Sequence, residues 1–87
     1  MYKIELSKNV EKVLTDVFKA DKKLYGRLIN VIEALSEDPF VGKKLKGPLK
    51  GDHSLRVGSY RIIYSIFNKK LMIYVIDLGH RREIYKQ

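Results

Sequence analysis

Residues 53–78 read HSLRVGSYRIIYSIFNKKLMIYVIDL. Tyr60 to Phe67 (YRIIYSIF) and Leu71 to Leu78 (LMIYVIDL) are rich in β-branched and aromatic residues, which suit a pleated, half-buried surface. Asn68-Lys69-Lys70 between them offers a hairpin turn. Gly58-Ser59 offers another, behind the shorter run His53 to Val57. The stretch predicts a three-strand meander. Side chains alternate along a strand, so Ile63 and Phe67 share a face with Arg61. That puts the arginine at one end of an otherwise apolar face, where a side chain of this charge needs an acidic or anionic partner. Gly79 is expected to end the last strand and release a charged tail, HRREIYKQ.

Upstream, Tyr2, Ile4 and Leu6 alternate with Lys3 and Glu5 as in a short strand with one buried face. Ser7 is placed to cap a helix starting at the next residue. Val10, Val13, Leu14, Val17 and Phe18 recur at three- and four-residue spacing, the stripe of an amphipathic helix ending near Ala20. Asp21 reads as a second cap, and Leu24, Leu28, Val31, Ile32 and Leu35 form a second stripe. That helix should stop before Asp38-Pro39, because the residue before a proline is biased out of the helical region. So short a link predicts an antiparallel helical hairpin. Residues 38–52 contain Pro39, Gly42, Gly47, Pro48 and Gly51 and read as a loop carrying Lys43, Lys44, Lys46 and Lys50. Strand, two helices and a meander together predict a small α+β domain with the helices on one face of a mostly antiparallel sheet.

The chain has 87 residues and forms one domain, 1–87, since neither flank of the loop could hold a separate core. Its net charge is +8, and the charge is segregated. Residues 1–40 hold seven Lys/Arg and seven Asp/Glu; residues 41–87 hold eleven and three. The first half reads as a neutral scaffold and the second as a surface for a polyanion, either nucleic acid or an acidic protein. The basic half shows no amphipathic helix suited to a membrane surface. No apolar run approaches the roughly 18 residues of a spanning helix. The absence of cysteine excludes a disulfide framework, a thiol nucleophile and a Cys-based zinc site, and fits a reducing compartment.

The basic half contains no Gly-rich phosphate loop after a strand and no His/Glu metal spacing. Asp52, Asp77 and Glu83 are isolated, whereas a two-metal nuclease wants clustered carboxylates. What is present is cations with aromatics: Lys46, Arg56, Arg61, Arg81 and Arg82 with His53, His80, Tyr60 and Tyr85. That set suits RNA chemistry without a metal. RNA supplies its own nucleophile, the 2′-hydroxyl beside the scissile phosphate. The protein then has to align it, stabilise charge on the phosphoryl oxygens and move two protons. Arginine pairs bidentately with phosphate oxygens, and Tyr or His can move a proton or stack on a base. Most of these residues also have a plainer reading. Tyr60 and Tyr64 at strand spacing suit packing, His53 a turn, His80 the surface, and the loop lysines solvent. Arg61 has the strongest case, although an ion pair with Asp or Glu would also satisfy it.

The runs KLKG (Lys44–Gly47), SLRVGSYRIIY (Ser54–Tyr64) and VIDLGHRREIY (Val75–Tyr85), behind a helical hairpin and the Asp38-Pro39-Phe40 turn, resemble the RelE/ParE toxin superfamily. The resemblance is greatest to the RelE branch and covers nearly the whole chain. It implies a RelE-like α+β fold: an N-terminal strand and two-helix hairpin on a curled, mostly antiparallel sheet. It implies the toxin of a type II toxin–antitoxin system, cytoplasmic and without cofactor or membrane association. The implied activity is a ribosome-dependent, metal-independent endoribonuclease that cuts mRNA in the ribosomal A site. The implied partner is an acidic RelB-type antitoxin, with operator DNA bound only through the toxin–antitoxin complex.

Residue by residue, Arg61 matches the phosphate-stabilising arginine of such toxins. Arg81 matches a general acid or phosphate contact, with Arg82 a close second. Tyr85 matches the tyrosine that orients the cleaved nucleotide. Lys46 and Arg56 match RNA contacts, and Lys43, Lys44, Lys50 and His80 complete the RNA-facing set. Two lysines of the best-known relatives, one of them proposed as general base, are replaced here by Asp52 and Ser54. Lys46, Lys50 and His53 are the candidate substitutes. A ParE-like inhibitor of DNA gyrase and a cleavage-inactive relative that only binds its antitoxin remain the alternatives.

Overall fold

The computed structural model describes residues 1–45 and 52–80. Strand β1 (Lys3–Leu6) leads into helix α1 (Lys8–Ala20) and helix α2 (Lys22–Leu35). A short 3-10 turn (Pro39–Val41) precedes β2 (Lys43–Lys44), and β3 (His53–Val57), β4 (Tyr60–Phe67) and β5 (Met72–His80) complete the order. The Ser7 side chain accepts a hydrogen bond from the Val10 amide at 3.1 Å, capping α1 as its residue type predicts. Asp21 forms the whole link between the helices: its amide closes α1, and its side chain accepts from Leu24 to open α2.

The meander is there, inside a larger sheet. Five strands lie in the order β1-β5-β4-β3-β2. β1 pairs with β5 in parallel and the other pairings are antiparallel. Two local readings are therefore corrected. Lys43 and Lys44 are not loop residues but an edge strand paired with Ser54 and His53. Gly79 does not end β5, because Gly79 and His80 still pair with Arg61 and Tyr60. The β3–β4 turn has Gly58 at φ +60°, with Ser59 outside the positive region. Glycine first and positive is the signature of a type II′ turn, whose twist matches the flanking strands. The turn after β4 is a 3-10 turn (Asn68–Lys70) closed by Leu71 at φ 49°. That left-handed conformation is unfavourable for a bulky residue. It is held by β1, whose Lys3 amide donates to the Leu71 carbonyl at 2.8 Å.

The core lies between the helices and one face of the sheet. Val10, Leu14 and Val17 of α1 and Leu28, Ile32 and Leu35 of α2 pack on Val57, Ile62, Tyr64, Ile73, Val75 and Leu78. Each such aliphatic side chain contributes about 1.5–3 kcal/mol by leaving water. Phe18, read as part of the α1 stripe, is 46% exposed and instead meets Tyr25 edge-on at 4.9 Å. A bulge lies where Ile63 pairs with Asp77 but Tyr64 with Val75, so β5 carries one extra residue there. It shifts the buried positions of β5 from Ile73 and Val75 to Leu78.

Candidate functional site

The face of the sheet away from the helices carries the polar chemistry. The type II′ turn fixes the register: Val57 faces Tyr60, Arg56 faces Arg61, and Ser54 faces Ile63. Because facing residues share a side, Arg56, Ser54, Arg61 and Ile63 all lie opposite the core. Ile63 is 4% exposed yet stands outside the helix-side cluster. Arg61 is half-buried, and its Nη1 donates to Ser54 Oγ at 3.0 Å. Its other neighbour, on β5, is Gly79, which brings no side chain. Two like charges directly opposite each other in a ladder repel, so the Arg56–Arg61 pair favours an anion on this face, where Asp77 stands opposite Ile63 with its Oδ1 taken by Asn9 and the Leu78 amide. Lys43, opposite Ser54, adds a third cation from the edge strand.

Farther along the same face, Ser65 Oγ donates to Asp52 Oδ1 at 2.5 Å, and Tyr74 faces Ser65 from β5. Ser54 and Ser65 are the polar residues that residue type alone did not single out as partners. Counting outward from the Gly58-Ser59 turn pairs 56 with 61, 54 with 63 and 52 with 65, which finds the Ser65–Asp52 pair and puts Ser54 diagonally beside Arg61.

The other sequence-level candidates are distributed differently. Lys44 faces His53, and His80 faces Tyr60, its ring 6.0 Å from the tyrosine ring. Both therefore lie on the helix side of the sheet, away from Arg61. Lys46, Lys50, Arg81, Arg82 and Tyr85 lie outside the described residues. Among the described residues no three His, Cys, Asp or Glu side chains converge as metal ligands would.

A family model described as the ParE toxin of type II toxin–antitoxin systems, parDE, matches residues 4–85. The chain belongs to the RelE/ParE toxin superfamily. This toxin is 40% identical to the toxin YoeB of Synechocystis over 67 residues, 71% of this chain and 78% of that one. It is 25% identical to the RelE4 protein of Methanocaldococcus jannaschii, across 100% of this chain and 94% of that one. Among solved structures, it matches the archaeal RelE–RelB complex from Pyrococcus horikoshii OT3 with a TM-score of 0.77 and 28% identity, covering 92% of this chain and 94% of that one.

Two aromatic groups of the toxin have shifted acidities. Burial pushes the Tyr64 hydroxyl up, opposed by the hydrogen bond from the Gly42 amide. Tyr64 therefore stays neutral and is a structural donor. His53 stacks on Tyr64 with ring centroids 5.5 Å apart. Burial pushes its pKa below 6.5, and Lys44 pushes in the same direction, against Asp52. Its Nδ1 is buried and has no hydrogen-bond partner among the described residues. The unfolded chain thus binds a proton more readily than the fold does. This contribution to stability is complete above pH 6.5 and is lost as pH falls from there toward the lower folded-state value. Urea midpoints measured between pH 8 and pH 5 should fall toward acid, and His53→Asn should flatten that slope. A slope unchanged in the variant would assign the acid sensitivity elsewhere.

Proposed function

We propose that the toxin is a ribosome-dependent endoribonuclease that cleaves mRNA in the A site by attack of the RNA's own 2′-hydroxyl. The observation that carries this reading is the Arg56–Arg61 pair facing across β3 and β4, with Lys43 on the same side. A phosphodiester between the two guanidiniums would relieve their repulsion and accept charge-assisted hydrogen bonds. The pairing tightens as charge builds on the phosphoryl oxygens in the transition state, the condition for lowering the barrier. The 2′-oxygen attacks phosphorus, the bond to the 5′-oxygen breaks, and a 2′,3′-cyclic phosphate and a 5′-hydroxyl result. A nucleophile carried by the substrate needs no metal-bound water. By the resemblance of its sequence, the toxin adds Arg81, Arg82 and Tyr85 to this set. It acts in the cytoplasm and is neutralised by an acidic RelB-type antitoxin, in keeping with the +8 charge. RelB is the partner in the matched Pyrococcus complex.

The description of the matching family as ParE toxins favours one second reading, inhibition of DNA gyrase without RNA cleavage. Primer extension on mRNA incubated with purified toxin, with and without programmed ribosomes, separates the two. New 5′ ends at A-site codons only when ribosomes are present are expected. No cleavage on competent ribosomes, together with inhibited supercoiling by gyrase, would replace this reading with the second.

A further inference from the structure

We infer that Asp52 is the general base that takes the proton from the 2′-hydroxyl. This role rests on the cleavage reading and adds a residue to it. Asp52, Ser54 and Arg56 succeed one another at strand spacing, and β4 answers with Ser65, Ile63 and Arg61. Two polar links of this face run across that pair of strands: Arg61 to Ser54, and Ser65 to Asp52. The carboxylate is therefore the next group along the open face beyond the Ser54 hydroxyl that holds the Arg61 guanidinium. Same-face neighbours on a strand stand about 7 Å apart, so a phosphate on the Arg61 guanidinium at Ser54 would place the adjoining ribose toward Asp52.

The carboxylate is also positioned for the role. Ser65 Oγ holds Oδ1 at 2.5 Å. Among the described residues Oδ2 has no hydrogen-bond donor, which leaves it to accept a proton. The charged and titratable neighbours set the field around it. Arg56 and Arg61 share its face, with Lys43 opposite Ser54, Asp77 opposite Ile63 and Tyr74 opposite Ser65. His53 is next in the chain and interacts electrostatically with Asp52. Of the neighbouring rings, Tyr74 shares the face, Tyr64 is buried and committed to backbone groups, and His53 lies with Tyr64 on the helix side. In the step, Oδ2 takes the 2′-hydroxyl proton as the oxygen–phosphorus bond forms. The 5′-oxygen leaves with the electrons of the bond it breaks and takes a proton from solvent.

The test is single-turnover cleavage of mRNA on programmed ribosomes at saturating toxin, with ribosome binding and melting curves measured for every variant. Asp52→Asn should lower the rate about 10²–10⁴-fold, the usual range for a positioned base, with binding and melting close to wild type. Asp52→Glu, which keeps a carboxylate, should restore much of the rate. Ser65→Ala keeps the carboxylate and removes the donor that orients it, so it should cost less than Asp52→Asn. A folded, ribosome-bound Asp52→Asn variant that cleaves at the wild-type rate would overturn the assignment, and so would an Asp52→Glu variant no faster than Asp52→Asn. Absence of cleavage by the wild type would instead overturn the cleavage reading itself, and the role of Asp52 with it.

Discussion

Arg61→Ala is expected to slow mRNA cleavage on the ribosome by about 10²–10³-fold, the usual loss when one donor to a developing oxyanion is removed. The residue is half-buried on the open face, directly opposite Arg56 and tied to Ser54. Its substitution also touches stability. The Ser54 hydroxyl, in a residue 2% exposed, loses a partner, while the facing Arg56 loses a like charge across the ladder. Melting curves identify the folded variant, in which activity should collapse. Arg61→Lys keeps the charge but not the planar fork that matches two phosphate oxygens, so it should recover only part of the rate. Cleavage rates, growth arrest on induced expression and thermal melts together check this. Growth arrest at wild-type strength from a folded Arg61→Ala variant would remove the arginine from the chemistry.

The elements legible in the sequence are those set by local chemistry. Ser7 and Asp21 announce both helix starts, and the i, i+3, i+4 stripes give the buried faces of α1 and α2 except at Phe18. Gly58-Ser59 gives the turn that sets the β3–β4 register, and with it the face shared by Arg56 and Arg61. Contacts between distant segments are harder to read. The parallel pairing of β1 with β5 joins the two ends of the described chain, and no local pattern encodes it. Lys43 and Lys44 form a strand only because β3 offers them an edge. The extra residue in β5 breaks the period-2 rule from within a run that otherwise looks regular. For the site, residue type points to cations and overlooks the hydroxyls. Ser54 and Ser65 matter through their partners, and a partner is visible only once the register is known.

Tyr64→Phe should destabilise the fold by about 1–3 kcal/mol, the range for leaving buried polar groups without partners. Tyr64 is fully buried, and its hydroxyl joins two segments: it donates to the Pro39 carbonyl at 2.8 Å and accepts from the Gly42 amide at 3.0 Å. Phenylalanine keeps the ring that packs on the core and stacks on His53, so the loss isolates the two hydrogen bonds. For a domain of this size the melting temperature should drop by roughly 4–8 °C for each kcal/mol. The same tether explains Gly42. A Cβ there would lie 2.9 Å from the Ser54 carbonyl oxygen and 2.9 Å from the Tyr64 ring, so even alanine must push the turn away from β3 and β4. Gly42→Ala breaks the contact from the other side, and the two changes should not add. The double variant should be more stable than the sum of the single losses allows, because the turn can be released only once. Urea denaturation of the two single variants and the double variant measures the coupling. Strict additivity would mean that Tyr64 does not hold the turn that delivers Lys43 to the face of Arg61.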